Sequence, residues 1–284
     1  KGFDVIQFAG PYFFPFPFFP YKNLIKKLKI NNGKIFLYAC GSDSFYWKSL
    51  NNLRYSTYQD VIKYDLNNKF PKELQKKSLD YNKYFAESVN GIIPNLFEYK
   101  NAYSDFINLR EVIPQPIFLD EVDYSEPNLE KKINVFHGLS RYGYKGTRHI
   151  EKAFKELELR YSNLANFSIE GRLPLDEYKK RLKRNTIVVD QCNSYSYGVN
   201  ALYSLAMGKV VLSGAETEAL QALNIKDCPV INILPSAKNI IETIENLINN
   251  KKCLKNKILC SRKFVFENHC ALKIARKFLQ EWQK

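Results

Sequence analysis

The sequence predicts an α/β protein built as two Rossmann-like, doubly wound domains, and three observations carry that prediction. Strand-length apolar segments alternate with amphipathic helix-length segments, most regularly after residue 130, which is the pattern of βαβ units and parallel sheets. A length of 284 residues corresponds to about two domains at roughly 150 residues each. Charge is also divided unevenly. Residues 1–130 carry 16 Lys+Arg and 15 Asp+Glu, whereas the remainder carries 27 and 14, so the two halves are expected to face different partners.

In the first half, Phe3–Phe8 alternates well enough for a strand. The segment 9–20 follows, where Pro11, Pro15, Pro17 and Pro20 exclude both helix and central strand. Its phenylalanines either pack under a neighbouring element or face a lipid or apolar acceptor. Leu24, Ile25 and Leu28 mark a short helix, and Lys34–Ala39 a strand that ends in Cys40-Gly-Ser-Asp43. Residues 44–88 give only weak helical periodicity. Gly91–Pro94 reads as a strand, followed by a helix around Glu98–Leu109, and the prolines of 112–116 interrupt regular structure. The acidic stretch 120–128 is the expected linker, which divides the chain into domains 1–119 and 120–284.

The second half is more regular. A strand at Ile133–His137 runs into a loop, 138–146, holding three glycines, and Thr147 is the expected N-cap of a helix with apolar residues at 150, 153, 154, 157 and 161. Next come a strand at 167–169, a helix marked by Leu175, Tyr178 and Leu182, and a strand at 186–190. A helix at 199–207 ends at Gly208, and strands follow at 209–212 and 229–233. Three helices close the chain near 236–249, 251–264 and 268–283.

Composition excludes several classes. Hydrophobic residues at 45% and charged residues at 25% are the ordinary globular mixture, so disordered and fibrous chains are ruled out. No apolar run approaches the ~20 residues of a membrane span. The six cysteines lack a C-x-x-C pair and suit free thiols in a reducing compartment. Met207 is the sole methionine, so a preceding segment is expected. The net charge of +14 suits nucleic acid, a membrane surface or a phosphorylated substrate.

Ligands of doubly wound folds sit beyond the carboxyl ends of the strands. The loop after 133–137 carries Arg141 and Lys145 among Gly138, Gly143 and Gly146. Two cations on a glycine-bearing loop that opens a helix suit a diphosphate, although a solvated basic loop would have the same composition. Asp190 ends an apolar strand, as a ligand contact or as a structural acid. Tyr195–Gly198 precedes a helix whose N-terminus is a second anion site, or simply makes a turn. His137 and His269 have no acid–base partner in sequence and read as structural.

Taken together, His137–Thr147, Val188-Val-Asp-Gln191 and Y-G-V-N-A-L-Y-S-L-A-M-G-K-V-V at 197–211 resemble the group 1 glycosyltransferases of GT-B fold. Their equivalent signature is roughly YG-x-x-x-x-E-A-M-A-x-G-K-P-V. F-D-V-I-Q-F, G-S-D at 41–43 and G-I-I-P at 91–94 are weaker echoes in the first half. The resemblance implies two domains facing across a cleft, the first lacking its start. It also implies transfer of a sugar from a nucleotide-diphosphate donor to a hydroxyl of a glycan or lipid-linked acceptor, with retention and without a metal or any cofactor beyond the donor. Arg141 and Lys145 would hold the diphosphate and stabilise its growing charge, with Asp43 facing the cleft from the acceptor side. Gly138, Ser140, Asp190, Tyr197, Gly198, Val199, Asn200 and Tyr203 would form the donor pocket.

Departures from the family pattern are equally definite. Tyr203 and Tyr195 stand where the family has acids, and Cys40 where it often has a histidine. A tyrosine can donate a hydrogen bond to a sugar, but its single oxygen cannot make the bidentate acceptor contact of a carboxylate. A catalytically degenerate binding subunit of a glycosylation complex is therefore the second expectation. Residues 251–284, with 10 basic and 2 acidic residues, suit an anionic membrane surface. No nucleic-acid module is visible. The corresponding location is cytoplasmic, peripheral on the inner face of a bacterial membrane, with a role in surface-polysaccharide synthesis.

Overall fold

The computed structural model describes residues 2–12, 21–64, 71–139, 141–171 and 173–284. Ser140 and most of the Phe/Pro segment lie outside them. The first lobe is built on three parallel strands in the order β1-β2-β3: β1 (Val5–Ala9), β2 (Lys34–Ala39) and β3 (Gly91–Pro94). The central strand, β2, buries Ile35, Phe36, Leu37 and Ala39, the near-continuous apolar run of a parallel strand covered on both faces. Helix α1 (Tyr21–Asn31) crosses from β1 to β2. The weakly periodic region resolves into α2 (Ser44–Ser49), α3 (Gln59–Lys63) and α4 (Lys76–Ser88). In α4, Tyr81 and Phe85, four apart, turn one face onto the sheet.

After β3 the helix is shorter than expected. α5 (Phe97–Ala102) stops at Tyr103, and the chain returns so that Arg110 N–H reaches Ile92 O at 2.8 Å. Backbone pairing with the β3 edge takes the residues that helical periodicity claims.

The second lobe is a five-stranded parallel sheet in the order β5-β4-β6-β7-β8. Its strands are β4 (Ile133–Leu139), β5 (Ala165–Gly171), β6 (Ile187–Val189), β7 (Val210–Ser213) and β8 (Ile231–Asn232). The helices are α6 (Thr147–Tyr161), α7 (Leu175–Arg184), α8 (Val199–Ala206), α9 (Thr217–Ala222), α10 (Ala237–Asn249), α11 (Lys251–His269) and α12 (Ala271–Gln283). α6 and α10 cover one face of the sheet, and α8 with part of α11 covers the other. Connections leave β4 toward β5 and leave β6 toward β7, so the topological switch point lies between β4 and β6.

Three local expectations change. Thr147 is not the N-cap of α6. Gly146 takes that place with φ 74°, and the Thr147 hydroxyl turns instead to His137 Nε2 at 3.0 Å. α9 lies in a segment that carried no helical expectation. The strand expected at 229–233 pairs only through Ile231 and Asn232.

The last helix crosses back. Phe278 of α12 meets Tyr38 of β2 with ring centroids 5.2 Å apart, and Trp282 Nε1 donates to Gln7 Oε1 at 3.0 Å. With Ile274 against Phe36 and Ile93, the end of the chain covers a face of the first sheet. Two cations, Lys209 buried and Arg262 half-buried, fasten the segment joining the lobes. Lys209 Nζ donates to Ser125 O at 2.8 Å and to Lys183 O at 2.9 Å, and Arg262 reaches Val122 O at 2.8 Å. Burial lowers the Lys209 pKa to about 8.

Candidate functional site

The switch point is where the sequence-predicted residues meet. β4 runs into the glycine loop and β6 ends one residue before Asp190, and their register places His137 opposite Val189. The loop curls back so that Lys145 Nζ lies 2.7 Å from Asp190 Oδ1 and 3.4 Å from Gly138 O. Ser213 Oγ, at the end of β7, donates to Asp190 Oδ2 at 3.3 Å. Lys145 is 8% and Asp190 3% exposed, so an ion pair sits nearly dry at the carboxyl end of the sheet.

Local packing enforces this geometry. Gly146 takes a left-handed φ, and a Cβ there would lie 2.3 Å from Cys192 Sγ and 2.8 Å from Asn193 Oδ1. Only glycine lets the loop meet the 190s segment this closely, and Cys192 N–H closes the contact on Lys145 O at 3.0 Å. His137 is fully buried beneath it. Val189 O only accepts, so Nδ1 carries the proton and donates to it at 2.8 Å, while Nε2 accepts from Thr147. Burial lowers the His137 pKa to about 4, and the neutral ring ties β4, β6 and α6 together.

Opposite the pair, α8 begins at Gly198, where a Cβ would stand 4.0 Å from Asp190 Oδ2. Val199 and Asn200 in its first turn are exposed or partly so. The first N–H groups of a helix lack intrahelical acceptors and carry its positive dipole end. A basic side chain, an acid that can accept from a hydroxyl and an open helix N-terminus therefore converge on one spot.

Other predicted residues point elsewhere. Arg141 is exposed, its guanidinium 4.1 Å from the Tyr144 ring centroid; Tyr144 in turn meets Tyr58 of the first lobe at 5.1 Å. Asp43 does not face a cleft: it caps α2 by accepting from Tyr46 N–H at 2.9 Å, accepts from Tyr103 at 2.9 Å, and is completely buried. Burial raises its pKa to about 6. Tyr197 turns into the core and donates to His269 Nε2 at 3.0 Å; Tyr203 packs partly buried against that core.

Sequence reasoning missed the residues that join the lobes. Asp60 accepts from Arg148 Nε at 2.8 Å and from Asn193 Nδ2 at 2.9 Å. Tyr195 lies between the rings of Tyr55 and Phe97, at 5.0 and 5.4 Å. Its hydroxyl accepts from Arg54 N–H and Nε, both at 3.0 Å. Glu98 reaches from α5 into the 194–196 loop. A cavity of about 300 Å³ opens beside this seam, lined by Asp60, Tyr64, Tyr142, Gly143 and Arg148. A wider groove of about 870 Å³ runs along α11 on the second lobe, lined in part by Lys226, Cys228, Lys252 and Lys257. Among the described residues no cluster of His, Cys, Asp and Glu is placed to hold a metal ion, and no helix is long and apolar enough to cross a membrane.

No protein-family model matches the chain, and no curated protein matches it. Solved structures do. TarM, with a TM-score of 0.64 and 14% identity, is matched over 99% of this chain and 55% of its own; a mutant of the S. aureus TarM is solved in complex with Fondaparinux, alpha-GlcNAc-glycerol and UDP. A glycosyltransferase from Rickettsia africae ESF-5 aligns with a TM-score of 0.63 and 13% identity over 99% of this chain and 76% of that one. Anabaena Alr3699/HepE, in complex with UDP and glucose, aligns with a TM-score of 0.58 and 12% identity over 98% and 91%. The chain thus spans little more than half the length of TarM. At these identities the likeness establishes the fold: two Rossmann-like domains facing across a cleft, the GT-B arrangement.

Proposed function

We propose that the chain is a glycosyltransferase that takes a sugar from a nucleotide-diphosphate donor held at the switch point of its second lobe. The observation that carries this reading is the Lys145–Asp190 pair, 2.7 Å apart and nearly buried, facing the start of α8 in a fold shared with structures that bind UDP and UDP-glucose. The donor diphosphate would take its charge-assisted contacts from Lys145 and from the α8 N-terminus. As the glycosidic bond breaks, negative charge accumulates on the departing diphosphate, and these fixed positive groups stabilise it more than they stabilise the ground state. Asp190 orients Lys145 and can accept from a sugar hydroxyl. Arg141, at the lip, would close over the donor from outside. The acceptor hydroxyl, from a glycan or lipid-linked glycan, would approach through the interlobe cavity, with retention and with no metal in the charge balance.

Membrane attachment fits the same reading. Lys252, Lys255, Leu259, Lys263 and Phe266 are exposed along one stripe of α11, and Leu272, Arg276 and Leu279 are exposed on α12. Lys273 stands over the Phe266 ring at 4.5 Å, joining the two stripes. Basic and apolar groups on one surface suit an anionic bilayer.

A second reading, a binding subunit without transfer activity, is favoured by Tyr195, which spends its ring and hydroxyl on the first lobe rather than on a ligand. Calorimetric titration with UDP, GDP and their relatives tests the first reading, which fails if none binds. Hydrolysis or transfer from a bound nucleotide sugar by the chain alone would eliminate the second.

A further inference from the structure

Ser194, Tyr195 and Ser196 present four hydrogen-bond donors to one point. Ser194 Oγ lies 2.7 Å, Tyr195 N 3.0 Å and Ser196 N 3.0 Å from Glu98 Oε1, and Ser196 Oγ lies 2.6 Å from Glu98 Oε2. All four belong to three consecutive residues of the second lobe. The carboxylate belongs to the first turn of α5 in the first lobe. Glu98 is 3% exposed and its partners are all neutral. A buried carboxylate is tolerated without a cation only where its oxygens are this fully hydrogen-bonded. Two backbone N–H groups and two hydroxyls converging in this way make an anion receptor of the nest type.

We propose that the 194–196 loop is an anion receptor whose resident ligand is Glu98 of the opposite lobe, and that Glu98 is a positioning residue that couples lobe closure to the geometry of the donor site. The coupling is short. Ser196 O accepts from Gln191 Nε2 at 3.0 Å, so the receptor loop is tied to the residue after Asp190. Gly198, which opens α8, is two residues further on. Seating Glu98 therefore fixes the segment between Asp190 and α8. With the lobes apart, water solvates Glu98 and the four donors separately; only the closed form has this contact, so the contact biases the equilibrium toward closure. The donor part of the proposal rests on the glycosyltransferase reading, whereas the closure part does not.

Chemical rescue tests it on the whole 284-residue chain. Glu98→Ala leaves the receptor empty, and acetate supplies the missing carboxylate. Small-angle scattering should show Glu98→Ala more extended than wild type, and UDP affinity should fall about tenfold or more. Acetate, compared with chloride at equal ionic strength, should restore both in the variant and alter neither in the wild type. Wild-type scattering from Glu98→Ala, or a loss that acetate leaves untouched, overturns the proposal. If wild type does not bind UDP, the donor reading fails, and the scattering with and without acetate still decides the role of Glu98. Should Glu98→Ala not fold, Ser194→Ala with Ser196→Ala keeps both N–H donors and should open the lobes partly; unchanged scattering there overturns the proposal equally.

Discussion

Replacing Lys145 by methionine keeps the buried stem of the side chain and deletes its charge. Asp190 would then be left 3% exposed, with Ser213 Oγ at 3.3 Å as its remaining side-chain donor. Breaking a buried pair from one side costs about 3–5 kcal/mol, because the partner stays charged in a dry site. That is a large share of the roughly 5–15 kcal/mol that holds a domain folded. Adding Asp190→Asn removes the orphaned charge, so the double variant should be more stable than Lys145→Met alone, with a coupling of about 2 kcal/mol or more. Donor binding should not recover with it. Both variants lack the cation and forfeit a charge-assisted contact of about 1.5–3 kcal/mol, roughly 10- to 150-fold in affinity. Urea unfolding followed by the fluorescence of Trp47 and Trp282, over wild type, both single variants and the double, gives the coupling, and titration with UDP gives the binding. Additive stability effects would show that the pair is not energetically coupled. Wild-type affinity for UDP in Lys145→Met would remove the donor from this position altogether.

His137 and His269 are both buried, with pKa values lowered by burial to about 4. The unfolded chain therefore takes up protons first as pH falls below about 6.5, and each histidine withdraws about 3 kcal/mol of stability by pH 4. Asp43, raised to about 6 by burial, takes up its proton first in the folded state and returns about 2 kcal/mol over the same interval, leaving a net loss of about 4 kcal/mol. Denaturant titrations at pH 7 and pH 4.5 should show the decline, and His269→Gln should flatten it; an unchanged pH slope in that variant would contradict the assignment. Gly146→Ala should destabilise by about 2–4 kcal/mol, from the left-handed φ and the overlap with Cys192, and should reduce UDP affinity; a thermal shift near zero would mean the loop has another route. Vesicles containing anionic phosphatidylglycerol should retain the chain more than zwitterionic ones. Leu259→Asp with Phe266→Asp should abolish the difference in co-sedimentation, and equal retention of both proteins would exclude this surface.

Much of the second lobe was legible because its strands are parallel and central. Ile187–Val189 and Val210–Ser213 are buried on both faces, so they appear in sequence as uninterrupted apolar runs. Lys145 and Asp190 were legible for a related reason: each follows such a run by a few residues, and topology alone then brings strand ends together. Direction was not legible. The sequence locates Arg141 on the loop but does not show that its guanidinium turns onto Tyr144. It locates Asp43 in a G-S-D turn, yet a turn acid before a helix is also an N-cap, and the cap is what the structure contains. The helix expected to Leu109 fails similarly, since periodicity carries no information about the strand edge waiting beside it.

The seam between the lobes was illegible on different grounds, and these bear on function. Asp60, Glu98, Ser194 and Ser196 are polar residues, so local rules place them in water. Their burial comes from partners about 100 residues away along the chain. Tyr195 joins the two problems. In sequence it is a tyrosine just ahead of a predicted helix. In the structure its ring is stacked on Phe97 and tilted against Tyr55, and its hydroxyl accepts from Arg54. Its ring and hydroxyl are thus committed to the other lobe. On the proposed reading, contacts made between the lobes by the chain's own side chains lessen what the binding energy of a donor must supply to hold them together. The Glu98 and Tyr195 contacts would then act together, each raising the population of the form that the proposed donor site requires.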